Sequence, residues 1–361
     1  MPWWQVNYGI ESATVFNPAI MDNSFSMGRY CSKFEQEMQE YLSCDAVAGV
    51  TSGSDAILIS LMALKLRPGE TVMVQDRSWI AAANAAGILG LNIIAVDVDE
   101  EFLTISLDDL SRKYQKSVKA LVVVHMNGRH HRFKDILRFA QERNIPVIED
   151  AAQALGSKLD GRALGTFGDL GAFSLSNSKI IGSGQGGFVA INKKDLIVTI
   201  RELRIQGTKD VTLATWESLG FNFRLTDLHA LIASNQLKLV DERIIRLKEI
   251  FELYTQLLIG VAAGRLVDIN FSAGEVGPYI EFILSEDIDR EKVLEHFANF
   301  GIELRPFYPS ITTAPYLSVE GECKIAKKLS NRGLYLPSGP AVKDREIREV
   351  CEVLQDLSTS R

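Results

Sequence analysis

The chain is short of the residues that build metal centres and disulfide frameworks. Its four cysteines, Cys31, Cys44, Cys323 and Cys351, lie far apart and form no CxxC pair. They read as reduced, mostly buried thiols of a cytoplasmic protein. The five histidines make no HxxxH or HExxH spacing, so no metal site is expected. His130 and His131 are neighbours and would point apart on a strand. No apolar run approaches the ~20 residues of a membrane span. Met1-Pro2-Trp3-Trp4-Gln5 lacks the basic segment and apolar core of a signal peptide. Positive charge is also scarce: 39 Lys and Arg stand against 46 Asp and Glu, for a net charge of −7. That balance argues against a general nucleic-acid or membrane-surface binder, while leaving room for a local basic pocket. No GxGxxG follows the first extended run, which argues against a nucleotide-binding dehydrogenase. Internal repeats and low-complexity tracts are absent too.

What remains is ample core. A chain of 361 residues, 46% of them hydrophobic, suffices for two domains. Residues 1–30 read as an irregular arm, with Trp3-Trp4 exposed, Asn17-Pro18 and Met27-Gly28, which either wraps a partner or a neighbouring domain or is a loosely packed terminus. Residues 34–42 carry helical spacing. From residue 47 short apolar runs alternate with helix-length segments. The extended runs are 47–51, 71–75, 93–98, 120–125, 147–150, 171–174 and 188–191, and the helical ones include 55–66, 81–89 and 133–143. Continuous Val/Ile/Ala runs fit strands covered on both faces. The expectation is an α/β fold: a three-layer large domain over 31–240 with a mainly parallel seven-stranded sheet. Residues 225–254 read as one long helix leading out of it. A smaller C-terminal α+β domain is expected over 241–361, with strands at 278–284 and 301–305 and helices at 290–300 and 344–357.

Chemistry concentrates between Pro146 and Asn192. An apolar run ends in Glu149-Asp150, and Lys179 follows in a small, Gly- and Ser-rich setting. A lysine so placed can lose its proton and attack a carbonyl. An acid at a strand end can sit against a charged ring nitrogen. Together they suggest pyridoxal 5'-phosphate held as a Schiff base on Lys179, with Asp150 opposite the pyridine nitrogen. Gln153 can hydrogen-bond the ring oxygen. Thr51-Ser52-Gly53-Ser54-Asp55 lies between a strand and a helix, where free N–H groups and the helix dipole favour a phosphate; the same residues would also serve as an ordinary helix cap. Ser174 can reach that phosphate. Trp79 can stack on a planar cofactor or fill a core. Asn222 and Arg224 can offer an amide and a guanidinium to phosphates, or form a cap and a surface ion pair. Ser52, His125 and Asp150 all sit at the carboxyl ends of candidate strands, where open α/β sheets bind ligands.

In order and spacing these pieces resemble the DegT/DnrJ/EryC1/StrS family of sugar aminotransferases, of the aspartate aminotransferase fold type I. The resemblance runs over nearly the whole chain: Ser52-Gly53-Ser54-Asp55-Ala56, Trp79, Val124-His125-Met126-Asn127-Gly128, Glu149-Asp150-Ala151-Ala152-Gln153, Phe173-Ser174, Lys179, Gly184-Gln185-Gly186-Gly187, Gly220-Phe221-Asn222-Phe223-Arg224, Arg305-Pro306 and Leu336-Pro337. It implies that Lys179 holds the cofactor and shuttles protons, and that Asp150 and Gln153 bind the ring nitrogen and hydroxyl. Trp79 would stack on the ring, and Ser54, the Gly53 backbone and Ser174 would hold the phosphate. It implies too that Asn222 comes from a second subunit, hence a homodimer with shared active sites. Glutamate would be the amino donor and a keto-sugar the acceptor, with Arg305, His125 and Arg224 as substrate contacts. The Asn177-Ser178-Lys179 setting looks like enzymes acting at C4 of nucleotide-linked 4-keto-6-deoxy sugars.

The chain departs from the family pattern at Gln185, where Glu is common, at Arg129-His130-His131-Arg132, and at Ile311, where a histidine often stands. The last two fall in substrate-contacting loops. Two alternatives share the fold. One is a nucleotide-sugar dehydratase, a branch in which histidine replaces the lysine. The other is a non-catalytic regulatory protein, which would not need Asp150, Gln153 and Lys179 together.

Overall fold

The computed structural model describes residues 1–8, 13–26, 28–209, 212, 215–216 and 218–359. The seven extended runs form strands β1 (Ala46–Val50), β2 (Thr71–Gln75), β3 (Asn92–Val96), β4 (Val118–Val124), β5 (Val147–Asp150), β6 (Leu170–Ser174) and β7 (Gly187–Ile191). They lie in the order β1-β7-β6-β5-β4-β2-β3, and the two residues Val319–Glu320 add an eighth, parallel edge beside β3. Only β7 runs against its neighbours, antiparallel to both β1 and β6. Nearly every strand residue is buried, because helices cover both faces. The strand period of two divides the core. Ala46, Ala48, Val50, Val72 and Val74 join one cluster, whereas Val47 and Met73 join the other.

Helix α1 (Arg29–Leu42) buries Cys31, Phe34, Met38 and Leu42, a stripe at helical spacing. Helix α2 (Gly53–Ala63) follows β1 directly, and α3 (Ala81–Ile88) follows β2. Helix α4 (Phe133–Glu142) turns Phe133, Ile136, Phe139 and Ala140 inward. The single helix expected over 225–254 is two, α5 (Asp227–Leu237) and α6 (Val240–Leu257). The break falls at Lys238-Leu239. Ala230 and Ala233 of α5 and Val240 and Leu247 of α6 pack in the sheet core, while Ile250, Phe251 and Tyr254, further along α6, pack in the core of the C-terminal region.

That region has a four-stranded antiparallel sheet built of β8 (Gly264–Leu266), β9 (Ile280–Leu284), β10 (Arg305–Pro306) and β11 (Gly333–Leu336), in the order β8-β9-β11-β10. Helices α7 (Arg290–Asn299) and α8 (Asp344–Thr359) accompany it. The strand expected from residue 301 is only the short β10. Gly301 takes φ +68° and caps α7, and Ile302 N–H donates back to Phe297 O at 3.0 Å. Ile311, Cys323, Ala326 and Leu329 return to the core of the large sheet.

The expected irregular arm has structure. Residues Ala13–Phe16 and Asn17–Met21 form short helical turns, and Met27 lies outside the described residues. Trp3 and Trp4 are half-buried rather than exposed, because both rings pack on Tyr279, at 5.5 and 5.4 Å. Among the described residues no helix is long and apolar enough to cross a membrane, and no group of three or more His, Cys, Asp or Glu could hold a metal.

Candidate functional site

The carboxyl ends of β1, β5 and β6 open into one pocket of about 350 Å³. It gathers Gly53, Ser54, Trp79, Asp150, Gln153, Ser174, Lys179 and Arg305, eight of the eleven residues singled out in the sequence. A wider surface cleft of about 690 Å³, beside Phe102, Arg132 and Arg265, contains none of them.

Asp150 ends β5 and is buried. Its Oδ1 accepts from Ala152 N–H at 3.1 Å, and its other oxygen takes no hydrogen bond among the described residues. Burial raises this carboxyl above the ordinary aspartate value, while the Ala152 N–H, Lys179 and His125 work in the opposite direction. Lys179 sits on the turn between β6 and β7, its own N–H bonded to Ser176 O at 3.1 Å. The preceding carbonyl, Ser178 O, accepts from Tyr279 Oη at 2.7 Å, and the Tyr279 ring centre lies 6.0 Å from Lys179 Nζ. Burial lowers the lysine pKa and Arg305 adds to the effect, while Tyr308 and Asp150 oppose it. The pocket therefore holds an acid that forms no ion pair among the described residues and an amine pushed towards its neutral, nucleophilic form.

At the other end lies the first turn of α2. Ser52 caps it, accepting from Asp55 N–H at 3.1 Å, and Ala56 N–H makes the first intrahelical bond to Ser52 O at 3.0 Å. The N–H groups of Gly53 and Ser54 precede that bond and have no intrahelical acceptor. A Cβ on Gly53 would stand 2.7 Å from Ser174 Cβ, so glycine is what lets the helix start and the end of β6 close into one cradle. Gln153 has a fixed orientation. Its Oε1 accepts from Asn127 N–H at 3.0 Å, which leaves its NH₂ as a donor for the pocket. Trp79 is 50% exposed and edge-on to Tyr308 at 5.1 Å, and the Arg305 guanidinium carbon lies 5.7 Å from its ring centre.

Three expected residues are elsewhere. His125 is not a pocket residue. Side chains alternate along an extended chain, and Val124 takes the pocket side. His125 therefore turns into the core, where Nε2 meets Glu149 Oε2 at 2.8 Å and Nδ1 meets Arg129 O at 3.2 Å. Asn222 and Arg224 lie behind the α2 cradle, where Thr51 N–H donates to Phe223 O at 2.9 Å. They bond to each other, Arg224 Nε to Asn222 Oδ1 at 2.7 Å, and neither lines the pocket of its own chain.

Several contributors went unnoticed in the sequence. Tyr308 lines the pocket, Tyr279 braces the lysine turn, and Asn127, which has φ +53°, orients Gln153. Behind them Glu281 of β9 takes the guanidinium groups of Arg77 and Arg129, and Asn127 Nδ2 at 3.0 Å. The aromatic run Phe307-Tyr308 was a visible hint; the pairing of Glu281 with residues on β2 and β4 connections was not.

These residues fit pyridoxal phosphate. The first turn of α2 has N–H groups without an intrahelical acceptor and no room for a Cβ at Gly53, the buried acid forms no ion pair among the described residues, and burial lowers the pKa of the amine.

Comparison with known proteins gives the same answer. Residues 10–355 match the model of the DegT/DnrJ/EryC1/StrS aminotransferase family. GDP-perosamine synthase of Escherichia coli O157:H7 is 32% identical over 340 residues, 93% of this chain and 92% of that one. The dTDP-4-dehydro-2,3,6-trideoxy-D-glucose 4-aminotransferase of Saccharopolyspora spinosa is 29% identical, over 96% of this chain and 94% of that one. Among solved structures, the aminotransferase TlmJ of Streptoalloteichus hindustanus superposes with a TM-score of 0.91 at 25% identity, covering 99% of this chain and 98% of that one.

Proposed function

The chain belongs to the DegT/DnrJ/EryC1/StrS aminotransferase family, and from that premise we propose that it moves an amino group from glutamate to C4 of a nucleotide-linked 4-keto-6-deoxyhexose. The product would serve aminosugar biosynthesis, for an O-antigen-like polysaccharide or a sugar antibiotic. The observation that carries the reading is that Asp150 and Lys179 line one pocket with the start of α2. The named activities of the perosamine synthase and the 4-aminotransferase support the substrate class.

The cofactor is pyridoxal 5'-phosphate, which supplies an electron sink for the charge left when a proton departs from carbon. Asp150 holds the ring nitrogen in its protonated form. Gln153 donates to the ring oxygen and Trp79 covers the ring. The N–H groups of Gly53 and Ser54, with the hydroxyls of Ser54 and Ser174, hold the phosphate. Lys179 Nζ anchors the cofactor between turnovers. Once freed, Nζ takes the proton from the α-carbon of glutamate, and in the second half-reaction it returns a proton at C4 of the sugar. Its lowered pKa leaves more of it neutral near physiological pH, as a base requires. Residues 31–240 would carry the cofactor, and residues 241–361 would close the pocket with Arg305 and Tyr308.

We assign the exposed Asn222 to the pocket of a second copy, in a cytoplasmic homodimer with shared active sites. Its position outside its own pocket supports that role. Arg224, paired with Asn222, would face the same second pocket.

The test is a panel of nucleotide-linked keto-sugars assayed with glutamate. Formation of 2-oxoglutarate and a 4-aminosugar is expected, and Lys179→Ala should abolish both while cofactor binding weakens but stays detectable. Normal turnover by that variant would sink the assignment. Loss of a sugar hydroxyl without amination would instead make the protein a dehydratase.

A further inference from the structure

Arg305 lines the cofactor pocket, yet its guanidinium makes no hydrogen bond or ion pair among the described residues. Three aromatic rings surround it instead. The guanidinium carbon lies 4.7 Å from the ring centre of Trp3, 5.4 Å from that of Tyr308 and 5.7 Å from that of Trp79. Aromatic faces hold a guanidinium without consuming its N–H donors, which radiate in its own plane. The fork therefore stays free for a planar or tetrahedral oxyanion.

One of the three rings arrives from far away in sequence. Residues 1–5 are strapped to the C-terminal region on two sides. Met1 O accepts from Glu303 N–H at 2.8 Å, two residues before the arginine. On the other side Ser338 N–H donates to Trp3 O at 2.9 Å and Gln5 N–H to Ser338 O at 2.8 Å. These bonds fix the Trp3 backbone, and Tyr279 packs against its ring.

We propose that Arg305 receives a carboxylate or phosphate group of a substrate, and that the strap of residues 1–5 positions it through Trp3. This rests on the aminotransferase reading. Trp3 does not touch the reacting atoms; it sets the plane and reach of the guanidinium that does the binding.

The two half-reactions of the holoenzyme separate the two sources of the oxyanion. Glutamate should remove the yellow colour of the cofactor, and the nucleotide-linked keto-sugar should restore it; each is followed in a single turnover. Arg305→Gln is expected to raise the half-saturating concentration about tenfold to a hundredfold in one arm, the cost of a lost charged hydrogen bond. The glutamate arm would assign a carboxylate, the sugar arm a phosphate. Trp3→Leu, which keeps apolar bulk but removes the ring, should raise the same constant about threefold to tenfold, with cofactor content and limiting rate near those of the parent. Trp3→Phe should recover most of the loss. In the Arg305→Gln background Trp3→Leu should cost nothing further, a non-additivity that general destabilisation would not produce. Unchanged half-saturation in both arms for Arg305→Gln overturns the proposal, as does a full Trp3→Leu effect in the double variant. Failure of glutamate to discharge the colour of the parent protein would be a different result, and would overturn the aminotransferase reading itself.

Discussion

Replacing Glu281 with glutamine should weaken the joint between the large sheet and the C-terminal region more than any single surface change. Glu281 is fully buried on β9 and takes two guanidinium groups, Arg77 and Arg129, that follow β2 and β4 of the large sheet. Burial alone would raise its carboxyl. The charges of Arg129 and Arg77 more than offset that and bring it from 4.5 down to about 2. At about 1.4 kcal/mol per unit, the shift corresponds to about 3 kcal/mol of folding free energy. The folded value lies below the unfolded one. The contribution is therefore fully present above the unfolded value of 4.5 and is lost as pH falls through about 2. Glu281→Gln keeps the shape but leaves two buried cations without an anion, a change that costs roughly 3–5 kcal/mol. Urea unfolding at a series of pH values measures it. A loss of that size is expected at neutral pH, and the gap between parent and variant should narrow over the acid range just described. A neutral-pH difference under about 1 kcal/mol, or one that ignores pH, would refute this account of the joint. The same carboxylate accepts from Asn127, whose backbone fixes Gln153, so the variant should also bind the cofactor less tightly.

Other changes bear on the pocket itself. Gly53→Ala puts a methyl group 2.7 Å from Ser174 Cβ and should weaken pyridoxal phosphate binding by about tenfold or more, as measured by titration of the apoprotein; an unchanged constant would mean that the cradle does not hold the phosphate. Asp150→Asn removes the anion proposed to face the ring nitrogen and should slow the glutamate half-reaction by about a hundredfold or more, and a single-turnover rate within tenfold of the parent would remove Asp150 from that role.

The sheet was legible because strands covered on both faces must be apolar throughout. β2 and β5 begin and end at the expected residues, their ends marked by Thr71, Gln75 and Asp150. The Ser52–Asp55 turn was legible as a helix start between a strand and a helix, because Ser and Asp there cap the first turn. His125 was misplaced by one residue of strand parity: Val124 faces the pocket, and its neighbour must face the core. The long helix over 225–254 was misjudged because Leu-rich periodicity does not register a two-residue break at Lys238-Leu239. Partnerships across the chain left no local trace. Arg77 and Glu281 are 204 residues apart, and Asn127 and Tyr279 152 apart. Trp3 reads as an exposed terminal aromatic until the fold sets Arg305 beside it.

Borohydride reduction of the purified holoenzyme, followed by digestion and mass spectrometry, tests the central claim most directly. The reduced cofactor should be found on Lys179 alone, and prior incubation with excess glutamate should abolish the label while 2-oxoglutarate accumulates. A label on another lysine, or one that glutamate leaves untouched, would contradict the account.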